Sequence, residues 1–186
     1  MTMIMYNSLK DKQIISSDAY EIGNVIDVNY VPDSWIIRSL AVRGAKGLGD
    51  VLGSSVFKKP QFSLNTGSYE INDVVIIPEI RDQLQKALVD DTHDIERAGN
   101  LIGKKVVSID LVPLGTIADI GIDLDVWRIN SFKVKIDKSV ANALDVKLGL
   151  LNKTASGLLT SHITSVTDVV NLSRKVEDMR GNFTLD

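Results

Sequence analysis

The 186-residue chain contains no cysteine, so disulfide staples, thiolate nucleophiles and Cys-ligated zinc are excluded. It has two histidines, His93 and His162, which lack the spacing of a metal-ligating pair. No apolar run approaches the roughly 20 residues that a membrane-spanning helix needs. The opening "MTMIMYNSLKDK" has too short an apolar core, and no basic leader, to read as a signal peptide. An excess of positive charge is also missing: the net charge is −3. Broad phosphate neutralisation needs a basic face, so direct nucleic-acid binding is disfavoured. These absences lead to the expectation of a cytoplasmic protein. Hydrophobic residues make up 44% and charged residues 24%, a balance that supports a folded core and argues against disorder.

What is present is a repeat. Shifting the chain by 92 residues places Lys12 on Lys104, Ser16 on Ser108, Asp18 on Asp110 and Gly23 on Gly115. The same shift sets Asp27 on Asp119, Asp33 on Asp125, Trp35 on Trp127, Ser39 on Ser131 and Val42 on Val134, without a gap. Intervening positions keep their character, as where Ile14 and Ile15 face Val106 and Val107. Self-similarity of this kind outranks other patterns in reading a fold. After the matched stretch the copies diverge, then converge at "YEINDVVII" and "SVTDVVNL" with an offset of 95. A loop has absorbed the difference.

Each copy reads as β-structure. "QIIS" and "KVVS" are short β-branched strands ending in a Ser-x-Asp turn. Gly23 and Gly115 precede second strands, "VIDVNY" and "IADIGI", where a crowded or left-handed backbone excludes side chains. Turns "VPDS" and "DLDV" lead to third strands expected to begin at Trp35 and Trp127. Between the copies, Ile80, Leu84, Ala87 and Leu88 recur at helical spacing, which predicts a helix from about Glu79 to about Arg97. "LSRKVEDMRGNFTLD" predicts a short terminal helix and tail. The expected fold is all-β: a first domain over 1–78, a helical linker over 79–98 and a second domain over 99–186. Each unit has some 70 residues, a size at which a single core is marginal.

The order of these signals resembles the PRC-barrel family. An apolar pair and "S.D" lead to a Gly, then "V.DV", a turn, a Trp and an "I..V.DVV.L" close. The second copy carries this as "LIGKKVVSIDLVPLGTIADIGIDLDVWRINSFKV", "KLGLL" and "HITSVTDVVNL". The first carries it as "LKDKQIISSDAYEIGNVIDVNYVPDSWIIRSLAV" and "YEINDVVII". The chain departs from the common single-domain form in its tandem arrangement and its long, glycine-rich first loop. The resemblance implies two small SH3-like β-barrels that bind proteins, with no enzymatic activity, cofactor or metal. It is nearest to stand-alone archaeal PRC-barrel proteins of the CdpB cell-division type. That implies a scaffold recruited to the division site at midcell, with a SepF-like FtsZ anchor or another PRC-barrel protein as partner, and possible homodimers. The alternative implied by the same family is a ribosome-maturation or RNA-processing factor like RimM.

Sites of chemistry are weighed against simpler readings. "RGAKGLGDVLG" (43–53) has the glycines of a phosphate cradle, but not the Gly-Lys-Ser/Thr ending or the strand–loop–helix context, so a mobile inter-strand loop is expected. Asp27, Asp33 and Asp73 recur as Asp119, Asp125 and Asp168, which suits turn capping better than a carboxylate pair facing across one cleft. His93 with Asp90, Asp91 and Asp94 could ligate a metal on spacing alone, yet fits an exposed helix face. Asn152 and Asn182 stand in glycosylation sequons, which carry little meaning in a cytoplasmic protein. The candidate protein interface is aromatic: Tyr20, Tyr30, Trp35, Tyr69 and Trp127. Tyr20 and Tyr30 face Val112 and Ile122 in the other copy, so they could mark a binding surface, and tyrosine is enriched in interface hot spots.

Overall fold

A computed structural model of the chain describes residues 2–52, 60–90, 94–149 and 154–185. It is mostly β, in two sheets. The strands are β1 (Met3–Met5), β2 (Gln13–Ser16), β3 (Glu21–Tyr30), β4 (Ile37–Gly44), β5 (Gln61–Asn65), β6 (Glu70–Ile71) and β7 (Val75–Ile77). They continue as β8 (Glu96–Arg97), β9 (Lys105–Val107), β10 (Pro113–Asp123), β11 (Arg128–Ile136), β12 (Thr154–Leu159), β13 (Ile163–Val166), β14 (Val169–Leu172) and β15 (Thr184–Leu185). Among the described residues, neither sheet closes by pairing its two edge strands, and no helix is long and apolar enough to cross a membrane.

The chain divides into two compact units. One comprises Tyr6–Ala98 with Val126–Arg128; the other comprises Met1–Met5, Gly99–Asp125 and Ile129–Asp186. The first unit holds the strand order β5-β4-β3-β2-β7-β6, with β8 on β3. The second holds β13-β14-β9-β10-β11-β12-β15, with β1 on β10. The duplication is therefore structural as well as sequential. β2 pairs in parallel with β7 through Ile14↔Val75, and β9 pairs in parallel with β14 through Val106↔Val170. Those pairs reproduce the 92-residue offset on one side and the 95-residue offset on the other.

The long strands β3 and β10 organise their units. Val25 and Val28 of β3 are fully buried, as are Ile120 and Ile122 of β10, while Ile117 is nearly so. Gly23 and Gly115 lie at the bend of each strand, with φ of 152° and 148°. A Cβ on Gly23 would stand 2.2 Å from the Arg43 carbonyl oxygen, and one on Gly115 would stand 2.0 Å from that of Lys135. Both distances are far inside van der Waals contact, so glycine is required for the neighbouring strand to approach. Gly103 shows the other use of glycine. It has φ of 83° with open space around it, and its counterpart Asp11 adopts φ of 67°.

The segment 79–98 departs from the expected helix. Arg81–Ala87 form a 3₁₀ helix, Leu88 returns to extended backbone and bridges Leu64, and β8 follows at Glu96–Arg97. The apolar spacing explains the outcome. Leu84 and Ala87 are the buried pair, three residues apart, which is one turn of a 3₁₀ helix, whereas Ile80 is exposed. Leu88 then belongs to the sheet and cannot continue the stripe. At the other end, the expected short helix is a 3₁₀ turn over Glu177–Met179, and the tail adds β15 to β12. His93, Asp91 and Asn152 lie outside the described residues.

Two substitutions separate the glycine roles. Gly115→Ala is expected to destabilise the fold by about 3 kcal/mol or more, because the methyl group meets backbone that cannot swing aside. Gly103→Ala has only the left-handed backbone to oppose it and should cost about 1 kcal/mol. Urea unfolding of the two variants measures the difference.

Candidate functional site: the duplicated Ser-x-Asp turns

The turn after the first strand of each repeat is built identically. In the first unit the Ser16 hydroxyl donates to Asp18 Oδ1 at 2.6 Å and accepts the Tyr20 N–H at 3.0 Å. The Ala19 N–H closes onto the Ser16 carbonyl at 2.9 Å. In the second unit Ser108 donates to Asp110 Oδ1 at 2.6 Å and accepts the Val112 N–H at 3.0 Å, and the Leu111 N–H reaches the Ser108 carbonyl at 3.0 Å. The residue after the aspartate is left-handed in both, with φ of 67° at Ala19 and 64° at Leu111. An anchor two residues past a later strand completes each: Ser17 N–H to the Glu79 carbonyl at 3.1 Å, beyond β7, and Ile109 N–H to the Arg174 carbonyl at 3.0 Å, beyond β14.

This shared frame presents different side chains. The first turn shows Tyr20, 54% exposed; the second shows Ile109 at 58% and Leu111 at 81%. A leucine held in the left-handed region with its side chain in water is unfavourable twice over, in backbone conformation and in hydration. Sequence reasoning singled out Tyr20 but missed Ile109 and Leu111. The signal available was their replacement of Ser17 and Ala19 at matched positions of the repeat.

Around Tyr20 the turn is reinforced by Arg81. Its guanidinium lies 5.8 Å from the centre of the Tyr20 ring, its N–H donates to Asp18 Oδ1 at 3.0 Å, and Nη2 contacts both carboxylate oxygens of Asp50 at 3.1 and 3.0 Å. Nη2 also donates to the Gly47 carbonyl at 3.1 Å, and Gln85 Nε2 donates to the Val51 carbonyl at 2.7 Å. The glycine-rich segment was expected to be a mobile loop. Its described part, through a short helix at Gly49–Leu52, is instead tied to the 3₁₀ helix. The Ser16 hydroxyl, followed by the Arg81 N–H, holds the Asp18 carboxyl below its ordinary range. The hydrogen-bonded Arg81 does the same to Asp50.

Of the other four aromatic candidates, Tyr30 and Trp35 are buried in the first unit, whereas Tyr69 and Trp127 are half-buried. Tyr30 is fully buried and stacks on Trp35 at 5.5 Å with an interplanar angle of 7°; its hydroxyl donates to Glu96 at 3.3 Å. Tyr69 meets Trp127 edge-on at 5.7 Å, Trp127 Nε1 donates to the Gly67 carbonyl at 3.0 Å, and the Tyr69 hydroxyl donates to the Asn65 carbonyl. Burial raises the Tyr30 and Tyr69 phenols above their ordinary value. Tyr30 is therefore core and not surface, as is its counterpart Ile122. The tryptophans do not open strands as expected. Trp35 and Trp127 close the preceding turns with φ of 61° and 48°, and the strands start at Ile37 and Arg128. One recurring pair bonds its own strand: Asp27 Oδ1 accepts the Val28 N–H and Asp119 Oδ1 accepts the Ile120 N–H, each at 2.8 Å, with the Tyr6 hydroxyl also on Asp27 at 3.1 Å; Asp125 instead accepts the distant Thr2 N–H at 3.1 Å.

A depression of about 420 Å³ in the second unit is lined by Lys138, Ala141, Asn142, Val146, Lys147, Leu148 and Gly149. It has cationic and apolar lining that no motif announced. Among the described residues, no group of three or more His, Asp or Glu is placed to hold a metal ion. No protein-family model matches the chain, and no curated protein matches it either.

Two variants test these assignments. Tyr30→Ala should lower stability by about 3–5 kcal/mol, the cost of deleting a large buried ring, as read from thermal unfolding. Arg81→Ala should speed amide exchange across residues 46–52 while leaving the strands protected. In the parent chain the Arg81–Asp50 part of that tie depends on ionised Asp50. Its folded value is depressed, so the tie persists through the ordinary carboxylate range near 3.8 and is lost only as pH falls through the lower folded value.

Proposed function

We propose that the chain is a tandem PRC-barrel protein that acts as a non-enzymatic scaffold for protein–protein interaction. The observation that carries this reading is the pair of Ser-x-Asp turns. Both keep the same hydrogen-bonded frame, yet one displays Tyr20 and the other Ile109 and Leu111. A frame kept rigid while its exposed apolar side chains differ suits two docking points with different partners. Two such points in one chain raise the effective concentration of one partner near the other.

The resemblance directs the reading to archaeal cell division, with a SepF-like FtsZ anchor or a further PRC-barrel protein as partner and recruitment to midcell. The repeated motifs "S.D", Gly, "V.DV" and "DVV" are what support it. The ribosome-maturation alternative requires contact with ribosomal particles, and a net charge of −3 weighs against direct RNA contact.

Co-purification with a SepF-like protein and a midcell signal from the tagged chain are expected; a diffuse signal without such binding defeats the division assignment, and enrichment on ribosomal particles supports the alternative. At residue level, Leu111→Gly relieves the left-handed strain and removes an exposed apolar side chain, so its melting temperature should be unchanged or higher. Partner affinity should fall by about 10- to 100-fold, the worth of one buried leucine at an interface. Tyr20→Ala should likewise weaken binding without lowering the melting temperature. A lower melting temperature with intact binding would make these side chains structural.

A further inference from the structure

The loops that follow β4 and β11 begin alike. The Ala45 N–H donates to the Ile22 carbonyl at 2.9 Å, and its counterpart Asp137 donates to the Leu114 carbonyl at 2.8 Å. The Leu52 N–H then reaches the Leu48 carbonyl at 2.9 Å, as the Leu144 N–H reaches that of Val140 at 3.0 Å, and Leu48 and Val140 are both buried. The 92-residue offset therefore holds as far as Leu144, and it sets Asp50 on Asn142. The segments beyond β7 and β14 correspond at the offset of 95. Leu84 and Met179 are both buried, the Val89 N–H bonds the Ser63 carbonyl, and Thr184 pairs with Ser156.

In the first unit this loop is tied from within. Arg81 brings its guanidinium to the Asp50 carboxylate and the Gly47 carbonyl, and Gln85 reaches the Val51 carbonyl. In the second unit both halves of the ion pair are replaced. Asn142 stands for Asp50, and the place of Arg81 falls to Val176, which is buried. Beside Asn142 lies the depression of about 420 Å³, a size within the range of ligand sites. Its lining includes buried Ala141 and Val146 and half-buried Leu148, with Lys138 and Lys147 exposed among them. Asp137 and Asp145 of the same loop are outside that lining. Among the described residues, neither lysine forms an ion pair. The second unit has thus lost the carboxylate and the guanidinium, and it presents two uncompensated cations beside apolar surface.

We propose that this hollow docks an acidic segment of a partner protein. A Glu or Asp carboxylate of the segment meets Lys138 and Lys147, and a neighbouring aliphatic side chain covers Ala141, Val146 and Leu148. The docking carboxylate supplies from outside the charge pairing that Arg81 and Asp50 make within the first unit. The site rests on the scaffold reading in taking a polypeptide as ligand, and it shares no residue with the Ser-x-Asp turns.

The probe is the acetylated and amidated peptide Gly-Glu-Leu-Glu-Gly, titrated into the full chain labelled with nitrogen-15. Saturable amide shifts should centre on residues 138–149, with a Kd of about 1 mM or tighter. Gly-Gln-Leu-Gln-Gly should not bind, and Gly-Glu-Gly-Glu-Gly should bind about 10-fold more weakly for want of the aliphatic contact. Lys138→Glu with Lys147→Glu should weaken binding by about 10-fold or more at an unchanged melting temperature, and should take up Gly-Lys-Leu-Lys-Gly instead. Lys138→Gln with Lys147→Gln repeats the loss without reversing the charge. The proposal is overturned if the peptide shifts no amide of that loop, or if both double variants bind it as the parent does. Displacement of the peptide by an equal concentration of inorganic phosphate also overturns it, because the hollow then selects small anions only. A silent peptide with partner binding still sensitive to Leu111→Gly ends this site alone, whereas peptide binding in a chain that captures no cellular partner ends the scaffold reading alone.

Discussion

Each unit depends on one steric constraint: a long strand must bend where another carbonyl presses against it. At Gly23 and Gly115 the neighbouring backbone comes within about 2 Å of where a side chain would begin. That approach lets β3 and β10 pair with a short strand at one end and run past it at the other. The overrun creates the need for β8 and β1. Burial in β3 follows Ile22, Val25, Val28 and Tyr30, an irregular series that register shifts in the β3–β4 ladder accommodate.

Much of this was written locally and could be read from the sequence. The Ser-x-Asp turns depend on residues within a few positions, and these turns, the glycines and the closing strands each recur at a fixed offset, but the parallel pairing of the closing strands was not legible. The offset change from 92 to 95 located the tolerant loop in advance of any coordinates. What failed to show was whatever depended on partners distant in the chain. An apolar spacing of Ile80, Leu84, Ala87 and Leu88 fits an α-helix in isolation. Only the bridge from Leu88 to Leu64 reveals that the last of them belongs to a sheet. The tryptophans misled for a related reason. A bulky aromatic beside β-branched residues suggests a strand, yet both sit at positive φ and fill space at the turn.

The candidate site was half legible. Tyr20 emerged from comparing the copies, but so did Tyr30, and the comparison cannot tell a core difference from a surface one. Tyr30 facing Ile122 is a volume exchange inside two cores, balanced in the first unit by stacking on Trp35. Ile109 and Leu111 escaped because aliphatic residues in a β-rich sequence are assumed to point inward. Their exposure follows from the turn's hydrogen bonds, which fix the backbone before the side chains can choose a side. A hydroxyl donating to a carboxylate at 2.6 Å leaves little latitude there.

The membership of the units has an evolutionary corollary. Val126–Arg128, written in the second repeat, complete the unit of the first, while Met1–Met5, written ahead of the first repeat, complete the unit of the second. No single cut between the repeats yields two finished halves: severing after Ala98 would strip Trp127 from Tyr69 and β1 from β10. Recombination that trades whole modules at such a boundary would deliver incomplete pieces. Once the two copies had come to share segments in this way, descent could alter their surfaces freely but could no longer set either copy loose.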